Sequence, residues 1–307
     1  MRVSDRSSPD ALLDIDFADA AGRLGSGCIW LGGARREVWQ AALPAGDWQA
    51  EAGLLWRREA GALGVLALRL PLPAGADPAA VTEHAYRTLL AAARPGPRPY
   101  LIRVWNYLGA INAGEGDAER YRRFCVGRDA AVDAMFRAPP PAATAIGAPR
   151  ADAPLSLLAL CSAEPGIALE NPRQTPAWQY PREYGPVPPG FSRGAVLRDG
   201  GAAVLLASGT ASIVGHVSLH PGDVLAQLDE SLANLEVLLE EGRRRAGADF
   251  RPGALQALRV YLRDPAAMPA VAARLAARGW PLPRIAFLHG DICRRELDIE
   301  LEGVFGA

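Results

Sequence analysis

Between Leu297 and Glu302 the side chains alternate without a break. Leu297, Ile299 and Leu301 interleave with Asp298, Glu300 and Glu302. Successive residues of an extended chain point to opposite faces, so a period of two predicts a strand and argues against a helix there. One face is committed to an apolar core and the other carries three carboxylates. Just upstream, Arg284 to His289 (RIAFLH) is a short apolar run with Ile285, Phe287 and Leu288. A short polar turn separates the two segments, which predicts a hairpin. Two fates are open to the acidic face. It can be the solvated side of a half-buried sheet. Alternatively, one carboxyl can sit in a dry cleft, where lost hydration and a like charge two residues away raise its pKa toward that of a general acid.

With 307 residues, the chain has room for two modest domains or one large one. A net charge of −1 leaves no basic footprint for nucleic acid or for an anionic membrane. Lysine is absent, so all 33 basic residues are arginine. That excludes a Walker-type phosphate loop, a pyridoxal Schiff base and any lysine nucleophile. An anionic ligand would therefore be gripped by guanidinium groups, whose planar fork suits a carboxylate. The cysteines, Cys28, Cys125, Cys161 and Cys293, are scattered without a CxxC pair. They read as reduced thiols of a cytoplasmic protein rather than as a zinc ribbon or a redox motif. His216 and His220 stand four apart, but Pro221-Gly222 follows directly and no HExxH-like acid completes a set, so no metal is expected. The first twenty residues are charged throughout and lack the apolar core of a signal peptide. No run approaches the roughly eighteen apolar residues of a membrane span.

Along the chain, Met1 to Gly25 reads as a loosely ordered lead-in, and Cys28 to Leu31 and Glu37 to Leu43 as strands around Gly32-Gly33. Gly64 to Leu70 is a strand, Asp77 to Ala93 a helix opened by Pro78, Tyr100 to Leu108 a strand, and Gly116 to Phe136 a helix. Ala138 to Pro154 is rich in proline and alanine and predicts a linker, dividing the chain into units 1–145 and 146–307. Strands follow at Leu155 to Cys161, Gly166 to Leu169, Ala195 to Leu197 and Ala202 to Ala207. Six prolines between Asn171 and Gly190 leave a long loop, and its aromatic and charged side chains argue for an ordered, functional one. Asp223 to Arg245 carries the clearest amphipathic stripe, with Leu228, Leu232, Leu235 and Leu238, and Gly247 follows its end. Leu255 to Leu262 is a strand and Pro265 to Ala277 a helix. YLIRVWNYLGAIN and LQALRVYLRDP echo one another, each a strand bearing an arginine just before a helix.

Four blocks carry a resemblance: RVWNYLGAIN with RYRRFCVGRDAA, ENPRQTPAWQYPREYGPVPPGFSRG, SGTASIVGHVSLHPGD, and HGDICRRELDIELEG. In that order they resemble the chorismatases, which cleave the enolpyruvyl ether of chorismate. The resemblance covers roughly Tyr100 to Gly303 and is looser before that. It implies an α+β fold of two tandem RidA-like (chorismate-mutase-like) units, each a mixed sheet with helices packed on one face. It also implies a small-molecule substrate, no cofactor, and a monomer or a trimer.

By the same resemblance the catalytic glutamate falls on Glu300, with Glu302 on the same face as its alternate. Cys293 falls where the 3-hydroxybenzoate-forming members resemble one another in having cysteine, whereas hydrolytic members tend to carry a small residue. This favours the 3-hydroxybenzoate branch and leaves chorismate hydrolase as the alternative. Arg193 and Arg128, with the phenols of Tyr180 and Tyr184, are the candidates for holding two substrate carboxylates. Arg173, Arg182 and Arg294 lie in matched blocks but can be structural, and Tyr121 is a weaker candidate. GFSRG at Gly190 to Gly194 has the GxSxG spacing, but a proline-rich loop precedes it and a strand follows, the reverse of a nucleophile elbow. Two rivals remain. One is a RidA-like enamine or imine deaminase, although those are single units of less than half this length. The other is a binding module for small carboxylates.

Overall fold

The computed structural model describes residues 1–20, 22–51, 54–73 and 75–307. Among these residues the chain builds two seven-stranded sheets, a three-stranded sheet and a small two-stranded one. The first large sheet runs in the order Asp291–Ile292, Ala142–Ala148, Tyr100–Gly109, Leu155–Ser162, Leu63–Leu70, Leu55–Ala60 and Gln49–Ala50. The second runs Ile167–Leu169, Gly194–Asp199, Ala202–Ala207, Ile299–Gly306, Leu255–Leu262, Ile285–His289 and Ile29–Gly33. Each sheet is antiparallel except for one parallel pair, Tyr100–Gly109 with Ala142–Ala148 and Leu255–Leu262 with Ile285–His289.

Helices cover one face of each sheet. Pro78–Ala93 and Arg120–Ala131 bury Tyr86, Leu89 and Phe124 against the first. Val224–Ala246 and Met268–Ala277 bury Leu228, Leu235, Val271 and Leu275 against the second. Local chemistry sets their ends. The Asp77 and Asp223 carboxylates accept from the Ala79 and Ala226 amides, both at 3.0 Å. Gly247 closes the long helix at φ 61°, where a side chain would be strained.

The two uncovered sheet faces pack on each other, joining Ile102, Trp105 and Leu160 to Leu197, Leu206, Tyr261 and Val304. The result is helices, sheet, sheet, helices, and it is the expected α+β architecture of two tandem units. Among the described residues no helix is long and apolar enough to cross a membrane.

Four local expectations are overturned. The last two strands are not a hairpin, because Leu255–Leu262 lies between Ile285–His289 and Ile299–Gly306 and pairs with both. The connection between them instead sends Asp291–Ile292 across to the first sheet, where it pairs with Ala142–Ala148. The lead-in is structured. Arg2–Ser4, Arg36–Gln40 and Leu13–Asp16 form the three-stranded sheet, and Met1, Val3, Leu13, Ile15 and Trp39 seal the side of the inter-sheet core. The expected linker contains Ala142–Ala148, a buried parallel strand through which the boundary at 145/146 would cut. Leu155–Ser162 still pairs within the first sheet, so the chain crosses to the second at 163–166. Small side chains suit that strand because the second sheet's backbone approaches it, with Gly209 donating its amide to the Ala143 carbonyl at 3.3 Å. Finally, the helix expected over 116–136 breaks at Val132, which is extended at ψ 143°, and restarts under an Asp133 cap.

Candidate active site

The strand Ile299–Gly306 sits inside its sheet between Ala202–Ala207 and Leu255–Leu262. Ile299, Leu301 and Phe305 face the helices, so Glu300, Glu302 and Val304 face the first sheet rather than water. Glu300 and Glu302 are only 5% and 4% exposed. The solvated reading of the acidic face is therefore wrong for these two, and their fates differ.

Glu302 is saturated with donors. Arg103 Nη2 reaches Oε2 at 2.7 Å and Arg259 Nη1 reaches Oε1 at 2.8 Å. Trp105 Nε1 and Tyr261 Oη add bonds at 3.1 and 3.0 Å, and Thr144 Oγ1 donates at 2.5 Å. Burial opposes its charge, but Arg259, Arg103 and the hydroxyl donors overcome it and hold the carboxyl below its ordinary value. Glu302 is thus an ion, which removes it as the alternate acid.

Glu300 has no hydrogen-bond or ion-pair partner among the described residues. Burial first, and then the Glu302 charge, raise its pKa to about 8, with Arg103 and Arg193 offsetting only part of this. Its carboxyl opens on a cavity of about 400 Å³ at the seam between the two sheets, a volume suited to a small metabolite. The backbone gives way to it at Gly209, where a methyl group would stand 1.9 Å from Glu300 Oε1.

All six residues expected at the site line this one cavity: Glu300, Cys293, Arg193, Arg128, Tyr180 and Tyr184. Cys293 follows the crossing strand Asp291–Ile292 and is half-buried. Burial, reinforced by Glu300, pushes its thiol well above the ordinary value, so it is a neutral S–H facing the same cavity as Glu300. Arg193 opens the strand Gly194–Asp199 and is 5% exposed. It donates through Nη2 to the Thr175 carbonyl at 2.9 Å and to Tyr180 Oη at 2.6 Å, while its buried Nε has no partner among the described residues. Arg128 stands in the helix Arg120–Ala131, 5.2 Å over the Phe124 ring, and forms no ion pair among the described residues. Tyr180 and Tyr184 come from the proline-rich loop, their rings 5.4 Å apart. That loop is fixed by side chains: Asn171 donates to the Asn234 carbonyl at 2.8 Å and Gln174 to the Ile213 carbonyl at 3.1 Å.

Arg294 belongs here as well. Its guanidinium lies 4.0 Å over Tyr184, Nη1 donates to the His216 carbonyl at 2.8 Å, and buried Nη2 is spare. Arg173 and Arg182 do not belong. The first is tied to Glu230 at 2.5 Å and the second to Asp117 at 2.5 Å. Ser192 is fully buried and donates to the Pro140 carbonyl at 2.7 Å, which disposes of the GxSxG reading. Sequence reasoning missed the residues that surround the two carboxyls, namely Arg103, Arg259 and Thr144 at Glu302 and Gly209 at Glu300. The echo of two strand arginines was their signal, since those residues are Arg103 and Arg259.

A family model described as chorismatase FkbO/Hyg5-like, N-terminal, matches residues 37–161. A protein of Streptomyces rapamycinicus named chorismatase is 36% identical over 276 residues, 87% of this chain and 81% of its own. The chain belongs to the chorismatase family. A Streptomyces hygroscopicus relative named 3-hydroxybenzoate synthase is 35% identical over 237 residues, covering 73% of this chain and 68% of its own. A chorismatase crystal structure superposes with a TM-score of 0.78 at 27% identity, covering 99% of this chain and 97% of the other. The chorismatase relationship therefore spans both sheets, and not only the first, where the family model lies.

Proposed function

We propose that this chorismatase cleaves the enolpyruvyl ether of chorismate, releases pyruvate and forms 3-hydroxybenzoate, with Glu300 as the general acid. One observation carries the reading. Glu300 is a buried, unpartnered carboxyl with a pKa of about 8, and it faces an arginine-lined cavity. At neutral pH it keeps its proton and can give it up, which is what general acid catalysis asks.

Vinyl-ether cleavage begins with that proton moving from Glu300 to the terminal methylene carbon, leaving an oxocarbenium ion and a glutamate anion. Carbon is a slow proton acceptor, so the donor must be held close and aimed. The Gly209 backbone leaves room for such an approach. The substrate's own hydroxyl then attacks the ring carbon, its proton passing to the Glu300 anion as the C–O bond to pyruvate breaks; the arene-oxide-like intermediate opens, and loss of a ring proton, returned to the donor that protonated the oxygen, gives the aromatic product. Chorismate becomes 3-hydroxybenzoate plus pyruvate with no atom gained or lost, so no cofactor is called for. Ring opening needs a proton at oxygen, and the neutral Cys293 thiol in the same cavity suits that task. Water in place of the hydroxyl would give the dihydroxycyclohexadiene carboxylate of the hydrolytic branch. The name of the 35%-identical relative favours the first course.

Two substrate carboxylates meet Arg193 and Arg128, with Tyr180 and Tyr184 as phenolic donors and the spare Arg294 N–H as a further one. Both sheets of one chain line the cavity, so a monomer suffices for this chemistry. Four free thiols fit a reducing cytoplasm.

The test is to incubate the protein with chorismate, follow pyruvate, and identify the ring product by chromatography. Wild-type protein should release pyruvate with 3-hydroxybenzoate, and Glu300→Gln should release none while keeping its circular dichroism spectrum. Near-wild-type turnover by Glu300→Gln would remove Glu300 from the role.

A further inference from the structure

Four ionic side chains alternate in sign along one buried row at the seam. Glu37 comes from the strand Arg36–Gln40, Arg259 from Leu255–Leu262, Glu302 from Ile299–Gly306 and Arg103 from Tyr100–Gly109. Arg259 grips Glu37 with Nε and Nη2 at 2.9 and 2.6 Å and reaches Glu302 with Nη1 at 2.8 Å. Arg103 ends the row on Glu302 at 2.7 Å. All four side chains are at most 5% exposed. Two cations and two anions leave the row neutral. Inside a protein a net charge reaches further than in water, so the sum matters to whatever titrates beside it.

Glu300 is what titrates beside it, two residues from Glu302 on the same face. Glu37 does not line the cavity that Glu300 faces. Without Glu37 the row would carry two cations against one anion. Its net positive field would then favour the ionised form of Glu300, which has no proton to give.

We propose that Glu37 is a positioning residue for the proton donor: it completes the charge row, so that the seam stays neutral and the Glu302 carboxylate remains the charge that Glu300 senses most. This rests on the reading of Glu300 as the acid. Two further carboxyls titrate near the cavity, Glu119 in its lining, raised by burial, and Glu170 beside Arg193, raised by burial to about 7; both are unchanged by the substitutions below and so are common to every profile. Tyr107 and Tyr261 along the row, Cys28 beside it, and Tyr121 and Cys293 on the cavity side are all pushed up by burial and stay neutral near pH 7. Arg193 and Arg128 face the cavity as fixed cations in every variant considered.

Charge arithmetic gives the test, read as the pH dependence of kcat for pyruvate release. Glu37→Gln turns the row to net +1 and should move the alkaline limb toward acid by about one pH unit, a roughly fivefold loss of kcat at pH 8 with little loss at pH 5. Arg259→Gln turns it to net −1 and should move the limb the opposite way. The double variant Glu37→Gln/Arg259→Gln is neutral again and should restore the wild-type limb. A general structural defect would not produce shifts of opposite sign that cancel. If either single variant fails to fold, the other still has a required direction, and the double variant must coincide with wild type. Superimposable profiles for the single variants, or an unrestored double, would overturn the proposal. Glu300→Gln runs alongside: if it is inactive at every pH, the acid assignment stands and the limb shifts judge Glu37 alone. Activity in that variant would instead sink the assignment on which the inference rests.

Discussion

A methyl group at residue 209 would lie 1.9 Å from Glu300 Oε1, far closer than an unbonded carbon and oxygen can stand. Because the colliding atom is the end of a side chain, Gly209→Ala should fold and simply re-aim the carboxyl. Misplacement of about 1 Å can cost on the order of a hundredfold in rate. We therefore expect kcat to fall by about that factor with the denaturation midpoint nearly unchanged. A variant as active as wild type would show that the acid is not held where Gly209 allows it. Cys293 makes a different test. Its thiol is neutral and lines the same cavity as Glu300, so Cys293→Ala removes the proposed second proton donor and leaves Glu300 in place. Pyruvate release should persist while product shifts from 3-hydroxybenzoate toward the dihydroxycyclohexadiene carboxylate, measured by chromatography. An unchanged ratio would show that the thiol does not select the branch. The six candidate residues came from the resemblance, and all six line one cavity; the alternating pattern by itself left the acidic face open between solvent and a dry cleft. The residues that tune them were not legible, because Glu302 is held as an ion by Arg103 and Arg259, brought in from 199 and 43 positions away, and Glu300 is raised chiefly by a burial that only the packed sheets create.

Elements were readable to the degree that their signals were local. Asp223, the leucine stripe and Gly247 specify the helix Val224–Ala246 from within its own residues, and it forms as expected. The strands Leu63–Leu70, Tyr100–Gly109 and Leu255–Leu262 likewise stand within a residue or so of their predicted bounds. Failures came where pairing decided the matter. Ile285–His289 lies parallel to Leu255–Leu262, and a parallel partner leaves no turn signal. Ala142–Ala148 reads as a linker because alanine is a poor strand former, yet its small side chains are what the close approach of the second sheet requires. The N-terminal strands are too short to declare themselves and are held by an inter-sheet core that no local window contains. One local signal can be tested at this scale. Asp223→Ala removes the carboxylate that accepts from the Ala226 amide, so it should cost about 1 kcal/mol in urea denaturation. Turnover should stay within twofold of wild type, since the cap lies outside the residues lining the cavity. A large fall in kcat would mean that this helix sets the geometry of the acid strand, and not merely its stability.

For the molecule as a whole, the two glutamates of one strand pull stability in opposite directions with pH. Glu302 has its folded-state pKa lowered by Arg259 and Arg103, so its contribution is present above the ordinary carboxyl value and is lost as pH falls through the folded one. Glu300 runs the other way. Its pKa is raised from 4.5 to about 8, so between those values the folded protein holds a proton that the unfolded chain releases. Stability from this group is fully present below about pH 4.5 and drains away as pH rises to about 8. Across that window the loss is on the order of 3–5 kcal/mol, a large share of the 5–15 kcal/mol typical of a folded protein. A carboxyl kept protonated in a dry seam is thus a standing cost to the fold near neutral pH, of the kind active sites impose elsewhere. Glu300→Gln occupies the same space with a group that does not titrate. Urea denaturation of both proteins at pH 5, 6.5 and 8 should show the variant gaining on wild type at each step, and becoming the more stable of the two at pH 8 as turnover is lost. If the difference between the two stays flat from pH 5 to pH 8, Glu300 is not holding a proton in the folded state, and vinyl-ether protonation must have another donor.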